Sequence, residues 1–280
     1  MLSLSAPEVA PINTNNAQIG VFDSGVGGLT VLQEIHRQLP HESVLYFGDT
    51  ARVPYGNREP AEIVTFVREI LHMMAKQNVK MAIMACSTGS ALAMDLVKGE
   101  FDFPIVGVVR PGARAAVQAG SRIGIMATHA TVKSQAYSNE IWRCAAGAQV
   151  WEVACPKFVP LIENNQIDSP EMMEAAEEYL QPLIDREIDT LVFGCTHYPH
   201  LKRVFQNILP PHVTYVNPAE AAIIETAKVL AGEGIQANPN LLGETSFYVS
   251  GSANDFADLA ANWLPRRPYV QNIPVESLLL

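Results

Sequence analysis

Short apolar runs alternate along this chain with stretches in which apolar residues recur every three or four positions. Runs of the first kind fall at 19–22, 44–47, 79–85 and 105–109, and again at 123–127, 150–153, 190–193 and 214–216. Most are apolar throughout rather than alternating, which is the pattern of parallel strands covered on both faces. Between them, Ile63, Phe66, Val67, Ile70, Leu71 and Met74 share one helical face, and Pro60 suits the first turn of that helix. Ser169-Pro170 opens another helix with a cap and a proline, and Pro182 is expected to kink or divide it. Alternation of this kind predicts an α/β protein with doubly wound parallel sheets.

The two sets of runs resemble each other. Ile19-Gly-Val-Phe22 has a counterpart in Ile123-Gly-Ile-Met126, and Cys86 has one in Cys195 at a similar offset. A duplicated α/β domain is therefore expected. Residues 1–17 read as a loose polar tail, and 18–109 as a first domain. Residues 110–221 read as a second domain, and 222–280 as a return to the first. That return would supply a fifth strand at 247–250. The functional cleft would then lie between the two domains.

Composition narrows the classes. Of 280 residues, 48% are hydrophobic and 17% charged, which is globular. A net charge of −10 argues against a nucleic-acid surface. No apolar run is long enough to span a membrane, and residues 1–8 lack the basic and apolar stretches of a secretion signal. The four cysteines, at 86, 144, 155 and 195, have no C-x-x-C spacing, so neither a zinc ribbon nor a redox pair is expected. They are too few for a disulfide scaffold and point to a reducing compartment, the cytoplasm.

The chemistry concentrates at strand ends. Met81-Ala-Ile-Met-Ala-Cys86-Ser87-Thr88 and Leu191-Val-Phe-Gly-Cys195-Thr196-His197 each run from a strand straight into a thiol followed by hydroxyls. Open α/β sheets bind ligands at that edge. Two thiols facing each other across a cleft can work on opposite faces of one carbon, taking a proton from one side and returning it on the other. A free thiol is mostly protonated at neutral pH, so each needs a helper. Asp23 ends the first strand and is the candidate beside Cys86, while His197 and Glu163 are the candidates for Cys195. A single cysteine at a strand end reads as a buried small hydrophobe; the matched pair does not. Gly25-Val-Gly27-Gly28 lacks dinucleotide spacing, and reads instead as a turn where backbone passes close to a small substrate, with helix N–H groups available to a carboxylate. Tyr55 and Gly56, in a third strand-end loop, either close over the substrate or form an ordinary turn. Cys144 and Cys155 read as structural.

Taken together, Asp23-Ser-Gly-Val-Gly-Gly28, Gly48-Asp-Thr-Ala-Arg-Val-Pro-Tyr-Gly56, Ala85-Cys86, Ala154-Cys-Pro156 with Val159-Pro-Leu-Ile-Glu163, and Gly194-Cys-Thr-His-Tyr-Pro199 resemble the glutamate racemases of the aspartate/glutamate racemase superfamily. The resemblance runs from about residue 18 to 250. It implies two flavodoxin-like domains, a homodimer, no cofactor, no metal, and interconversion of L- and D-glutamate for peptidoglycan synthesis. It also implies roles: Cys86 and Cys195 as acid/base thiols, Asp23 assisting the first, Glu163 and His197 the second. Ser24, Tyr55, Gly56, Ser87, Thr88, Thr128, Thr131, Thr196 and His197, with Asp23, would hold the substrate. In one direction Cys86 as thiolate takes the α-proton and Cys195 as thiol returns one, and the roles swap in reverse.

Four positions depart from the family pattern. Ser87 stands where asparagine is usual, and Gly89, Arg110 and Asn217 also differ; all four are expected near one rim, where they would alter specificity or rate. Two alternatives stay open from the sequence. One is a superfamily member acting on another acid, such as aspartate. The other is a catalytically weakened amino-acid-binding or regulatory protein.

Overall fold

The computed structural model describes residues 16–278, so the expected N-terminal tail lies outside the described residues but for Asn16 and Ala17. The first half runs β1 (Ile19–Asp23), α1 (Leu29–Gln38), β2 (Val44–Gly48), α2 (Pro60–Lys76), β3 (Met81–Met84), α3 (Ser87–Val97) and β4 (Ile105–Gly107). The second runs α4 (Val109–Ala119), β5 (Arg122–Ala127), α5 (His129–Ser134), α6 (Ala136–Cys144), β6 (Gln149–Ala154), α7 (Phe158–Glu163), α8 (Pro170–Ile184), β7 (Thr190–Gly194), α9 (Lys202–Ile208) and β8 (Thr214–Val216). The chain then continues through α10 (Pro218–Glu233), β9 (Thr245–Val249), α11 (Ala253–Ala260) and β10 (Val270–Asn272).

Two parallel sheets result, one of six strands in the order β10-β9-β2-β1-β3-β4 and one of four in the order β6-β5-β7-β8. The four-stranded order repeats the β2-β1-β3-β4 core of the larger sheet. β9 pairs with β2, Val44 opposite Thr245, so the end of the chain adds to the first sheet. β10, which then pairs with β9, is a strand the apolar pattern misses, because Val270-Gln-Asn272 is short and mostly exposed. Two expected runs are too long: Val79 and Lys80 precede β3, and β4 stops at Gly107 because Val109 already begins α4.

Each sheet is buried between helices. Ile19, Val21, Leu32, Val44, Met81 and Ile223 pack together on one side of the larger sheet, and Phe22, Phe47, Ile70, Met74 and Met84 on the other. α2 forms as its apolar face requires, with Pro60 at its start and Glu59 and Glu62 closing a reciprocal cap. α8 begins at the Ser169 cap as expected but is not divided by Pro182. Pro182 lies two residues from the end of that helix, where little helix remains to break. Among the described residues no helix is long and apolar enough to cross a membrane.

One buried ion pair fastens the returning segment. Lys80 Nζ lies 2.6 Å from Glu42 Oε2 and donates to the Ile235 carbonyl at 2.8 Å, and Glu42 Oε1 accepts from the Ala237 N–H at 2.8 Å. Breaking a buried pair leaves an uncompensated charge. Glu42→Ala is expected to cost roughly 3 kcal/mol of stability in urea unfolding. A loss within the range of an exposed pair, below about 1 kcal/mol, contradicts this role.

Candidate active site

The carboxyl ends of β1, β3, β5 and β7 converge, and the residues that follow them wall a cavity of about 340 Å³ between the two domains. Ser24, Tyr55, Gly56, Cys86, Ser87 and Thr88 come to it from the first domain, and Thr128, Glu163, Cys195, Thr196 and His197 from the second. Both thiols are 6% exposed and open to this one space. Asp23 and Thr131 do not line the cavity; they stand just behind its wall. Asp23 accepts from the Gly25 N–H at 2.9 Å and from the Thr196 hydroxyl at 3.3 Å. Thr131 closes a triangle of hydroxyls with Thr88 and Thr128, whose edges are 3.0–3.3 Å.

The two thiols have different surroundings. Cys86 caps the start of α3, with Ser24 Oγ 3.9 Å away. Burial, then the neighbouring Asp23 carboxylate, push it up to about 12, against the weaker pull of the Gly89 N–H. Asp23 is itself held above the usual carboxylate range by burial, partly offset by the His197 charge. Cys195 instead sits 3.7 Å from His197 Nδ1, and His197 Nε2 lies 2.9 Å from Glu163 Oε1, the last residue of α7. Burial disfavours a charged imidazole, but the hydrogen bonds it donates to Cys195 and Glu163 outweigh this and raise His197 to about 10. The geometry is that of a thiol–imidazole–carboxylate relay on one side and a thiol beside a buried carboxyl on the other.

Packing across the domain boundary sets this arrangement. A Cβ at Gly27 would stand 2.5 Å from His197 Nδ1 and closer still to Thr196 Oγ1, so only glycine fits there. The Thr30 hydroxyl donates across the boundary to the Thr196 carbonyl at 3.0 Å, while Trp263 meets the His197 ring edge-on at 5.6 Å. The glycine turn thus admits the opposite domain rather than a substrate at Gly27. Nor does it offer the N–H groups of α1 to a ligand: those of Leu29, Thr30 and Val31 already bond to Val26, Gly27 and Gly28 carbonyls.

Other expected residues fall as follows. Tyr55 lines the cavity, but its side chain is buried and its hydroxyl is already engaged, donating to Asp49. Cys155 lines the cavity as well, its thiol 3.4 Å from the Val153 carbonyl. Ser87 lies on the wall, near the buried Tyr137 hydroxyl, which closes no hydrogen bond of normal geometry. The four departures from the family pattern do not share a rim. Gly89 packs beside Cys86, but Arg110 pairs with Asp95 in a separate cavity of about 350 Å³ between α3, α4, α6 and α10, and Asn217 caps α10. Among the described residues no thiol lines that second cavity. Thr30, Asp49 and Trp263 were not legible as parts of the site, because each acts through a fold contact rather than a motif. Among the described residues, no group of three or more His, Cys, Asp or Glu is placed to hold a metal ion.

The relay makes a measurable statement. His197 is expected to titrate near pH 10 by ¹⁵N NMR, and Glu163→Gln to move it down. Since the folded value exceeds the ordinary 6.5, the proton contributes stability that is complete below about pH 6.5 and lost as pH rises through about 10. A His197 that titrates below its ordinary value would contradict the relay.

Comparison with known proteins gives a concordant result. The model of the Asp/Glu/Hydantoin racemase family matches residues 19–226. A glutamate racemase of Trichormus variabilis is 54% identical over 268 residues, covering 94% of this chain and 91% of its own length. The crystal structure of a glutamate racemase isoform from Bacillus anthracis superposes with a TM-score of 0.90 at 36% identity, covering 93% of this chain and 98% of that one. The Francisella tularensis glutamate racemase, solved in complex with D-glutamate, superposes with a TM-score of 0.86 at 33% identity, covering 92% of this chain and 97% of that one. With a family match over most of its length and relatives this similar, the chain belongs to the Asp/Glu/Hydantoin racemase family.

Proposed function

We propose that this chain interconverts L- and D-glutamate by passing the α-proton through two thiols, Cys86 and Cys195. What carries this reading is the pair of thiols at corresponding strand ends of two sheets, opening on one cavity of about 340 Å³, a size suited to a small amino acid. The relatives named glutamate racemase support glutamate as the substrate.

The surroundings of the thiols order the steps. Burial and Asp23 keep Cys86 a thiol, and His197, hydrogen-bonded to Cys195, is the group placed to exchange a proton with that second thiol. Cys195 then takes the proton from Cα on one face, and Cys86 gives its own to the other face. The product leaves Cys195 protonated and Cys86 as thiolate. Running from the other enantiomer requires Cys86 as base, and Asp23, which burial holds above the usual carboxylate range, is the group beside it that can share its proton. Among the described residues no lysine or arginine lines the cavity. Substrate carboxylates are therefore held by hydroxyls and N–H groups, those of Ser24, Thr88, Thr128, Thr196 and the start of α3. Fixed dipoles of this kind stabilise charge that develops at Cα without reorganising. The family resemblance supports the wider setting: D-glutamate for peptidoglycan, in the cytoplasm, by a homodimer.

The test is racemisation followed by chiral chromatography. Cys86→Ala and Cys195→Ala are each expected to lower kcat by roughly 10³-fold or more, since acid/base groups contribute about 10²–10⁴-fold. A Cys195→Ala protein that racemises at an undiminished rate overturns the two-thiol scheme. Turnover of aspartate with none of glutamate overturns the substrate, and glutamate binding without turnover points to a binding protein.

A further inference from the structure

The cavity wall at Val53–Pro54–Tyr55–Gly56 belongs to a loop, and loops of this length wander unless something fixes them. Here the fixing group is Asp49, whose side chain is fully buried. One carboxylate oxygen accepts from the Ser250 hydroxyl at 2.7 Å, and the other from Arg52 Nε at 2.7 Å and from the Tyr55 hydroxyl. Arg52 reaches on to Glu69 on α2 and lies 4.1 Å over the Phe66 ring. Ser250 Oγ also accepts from the Ala51 N–H at 3.0 Å, and the Gly251 N–H donates to Thr50 Oγ1 at 3.0 Å. Beyond Tyr55, Gly56 meets the second domain: a Cβ there would stand 3.2 Å from Thr128 Cβ, at the hydroxyl triangle.

We propose that Asp49 is a positioning residue, gathering Ser250, Arg52 and Tyr55 so that the end of β9 sets where the 53–56 wall stands against Thr128, and hence how closely the cavity fits the substrate. This rests on the amino-acid racemase reading and deepens it. The polar network is a poor choice for stability alone. It buries two carboxylates around one guanidinium, and Arg52 Nη2 is buried with no hydrogen-bond partner. Such a network is better explained by the geometry it imposes. Its anchor is also remote from the chemistry: Ser250 follows β9, is not among the residues that wall the cavity, and is 201 positions from Asp49.

Displaced walls weaken the hold on substrate while leaving the thiols in place. Ser250→Ala is therefore expected to raise KM for both enantiomers roughly five- to tenfold with kcat within about twofold, and Ser250→Thr, which keeps the hydroxyl, to retain the wild-type KM. Arg52→Lys keeps a charge beside Asp49 but loses the fork to Glu69, and carries the same expectation of a raised KM; it decides the matter if Ser250→Ala does not fold, as judged by thermal unfolding. A folded variant whose KM is unchanged, or whose kcat falls with KM unchanged, overturns the proposal. Should the wild-type chain turn over aspartate rather than glutamate, the substrate reading fails, and the same KM ratio measured with aspartate still judges Asp49.

Discussion

The whole site depends on two separate sheets coming close enough for their strand ends to share one cavity. That approach is governed by the turn after β1. Gly27 leaves no side chain between the first domain and Thr196–His197, and Thr30 bonds the Thr196 carbonyl across the gap. A larger residue at Gly27 would push the second thiol's histidine away. The same contact carries charge as well as shape, because Thr196 donates to Asp23. The carboxyl beside one thiol is thereby tied to the backbone that carries the other.

From this follows an asymmetry in a site built by apparent duplication. The sheets repeat a strand order, and Cys86 and Cys195 occupy matching ends. Their helpers do not match. Cys195 has an imidazole at 3.7 Å backed by a carboxylate, whereas Cys86 has a buried carboxyl and a helix start. Under the proposed two-thiol reaction, running in both directions requires the proton inventory to move between the halves, and Asp23 is the buried carboxyl that lies beside Cys86 and accepts from Thr196.

Much of this was legible in the sequence, for physical reasons. Strands buried on both faces are apolar throughout, so β1, β2, β3 and β7 stood out plainly, as did the thiols that follow two of them, while the half-exposed β6 and β8 showed a weaker run. The late strand was visible in the same way, but β10 was not, because a short edge strand with exposed Gln271 and Asn272 carries no apolar signal. Pro182 misled because proline is costly inside a helix and cheap near its end, a distinction that needs the helix boundary. The glycine turn was located correctly, but its reason was not: it makes room for another domain, and distance in sequence hides that. Arg110 and Asn217 looked like rim residues because they follow strands, yet one points to a different cavity and the other caps a helix. Asp49 sat in a motif quoted for its neighbours, and its partner Ser250 lies too far along the chain for any local pattern to join them.

Isotope exchange tests the central claim, that the proton leaves by one thiol and returns from the other, most directly. L-glutamate is turned over in D₂O, and both enantiomers are recovered at low conversion and examined for deuterium at Cα. Two thiols on opposite faces place a solvent-derived deuteron in the D-glutamate formed while the unreacted L-glutamate keeps its hydrogen. Equal early labelling of both enantiomers would mean that one group serves both faces, and would contradict the account.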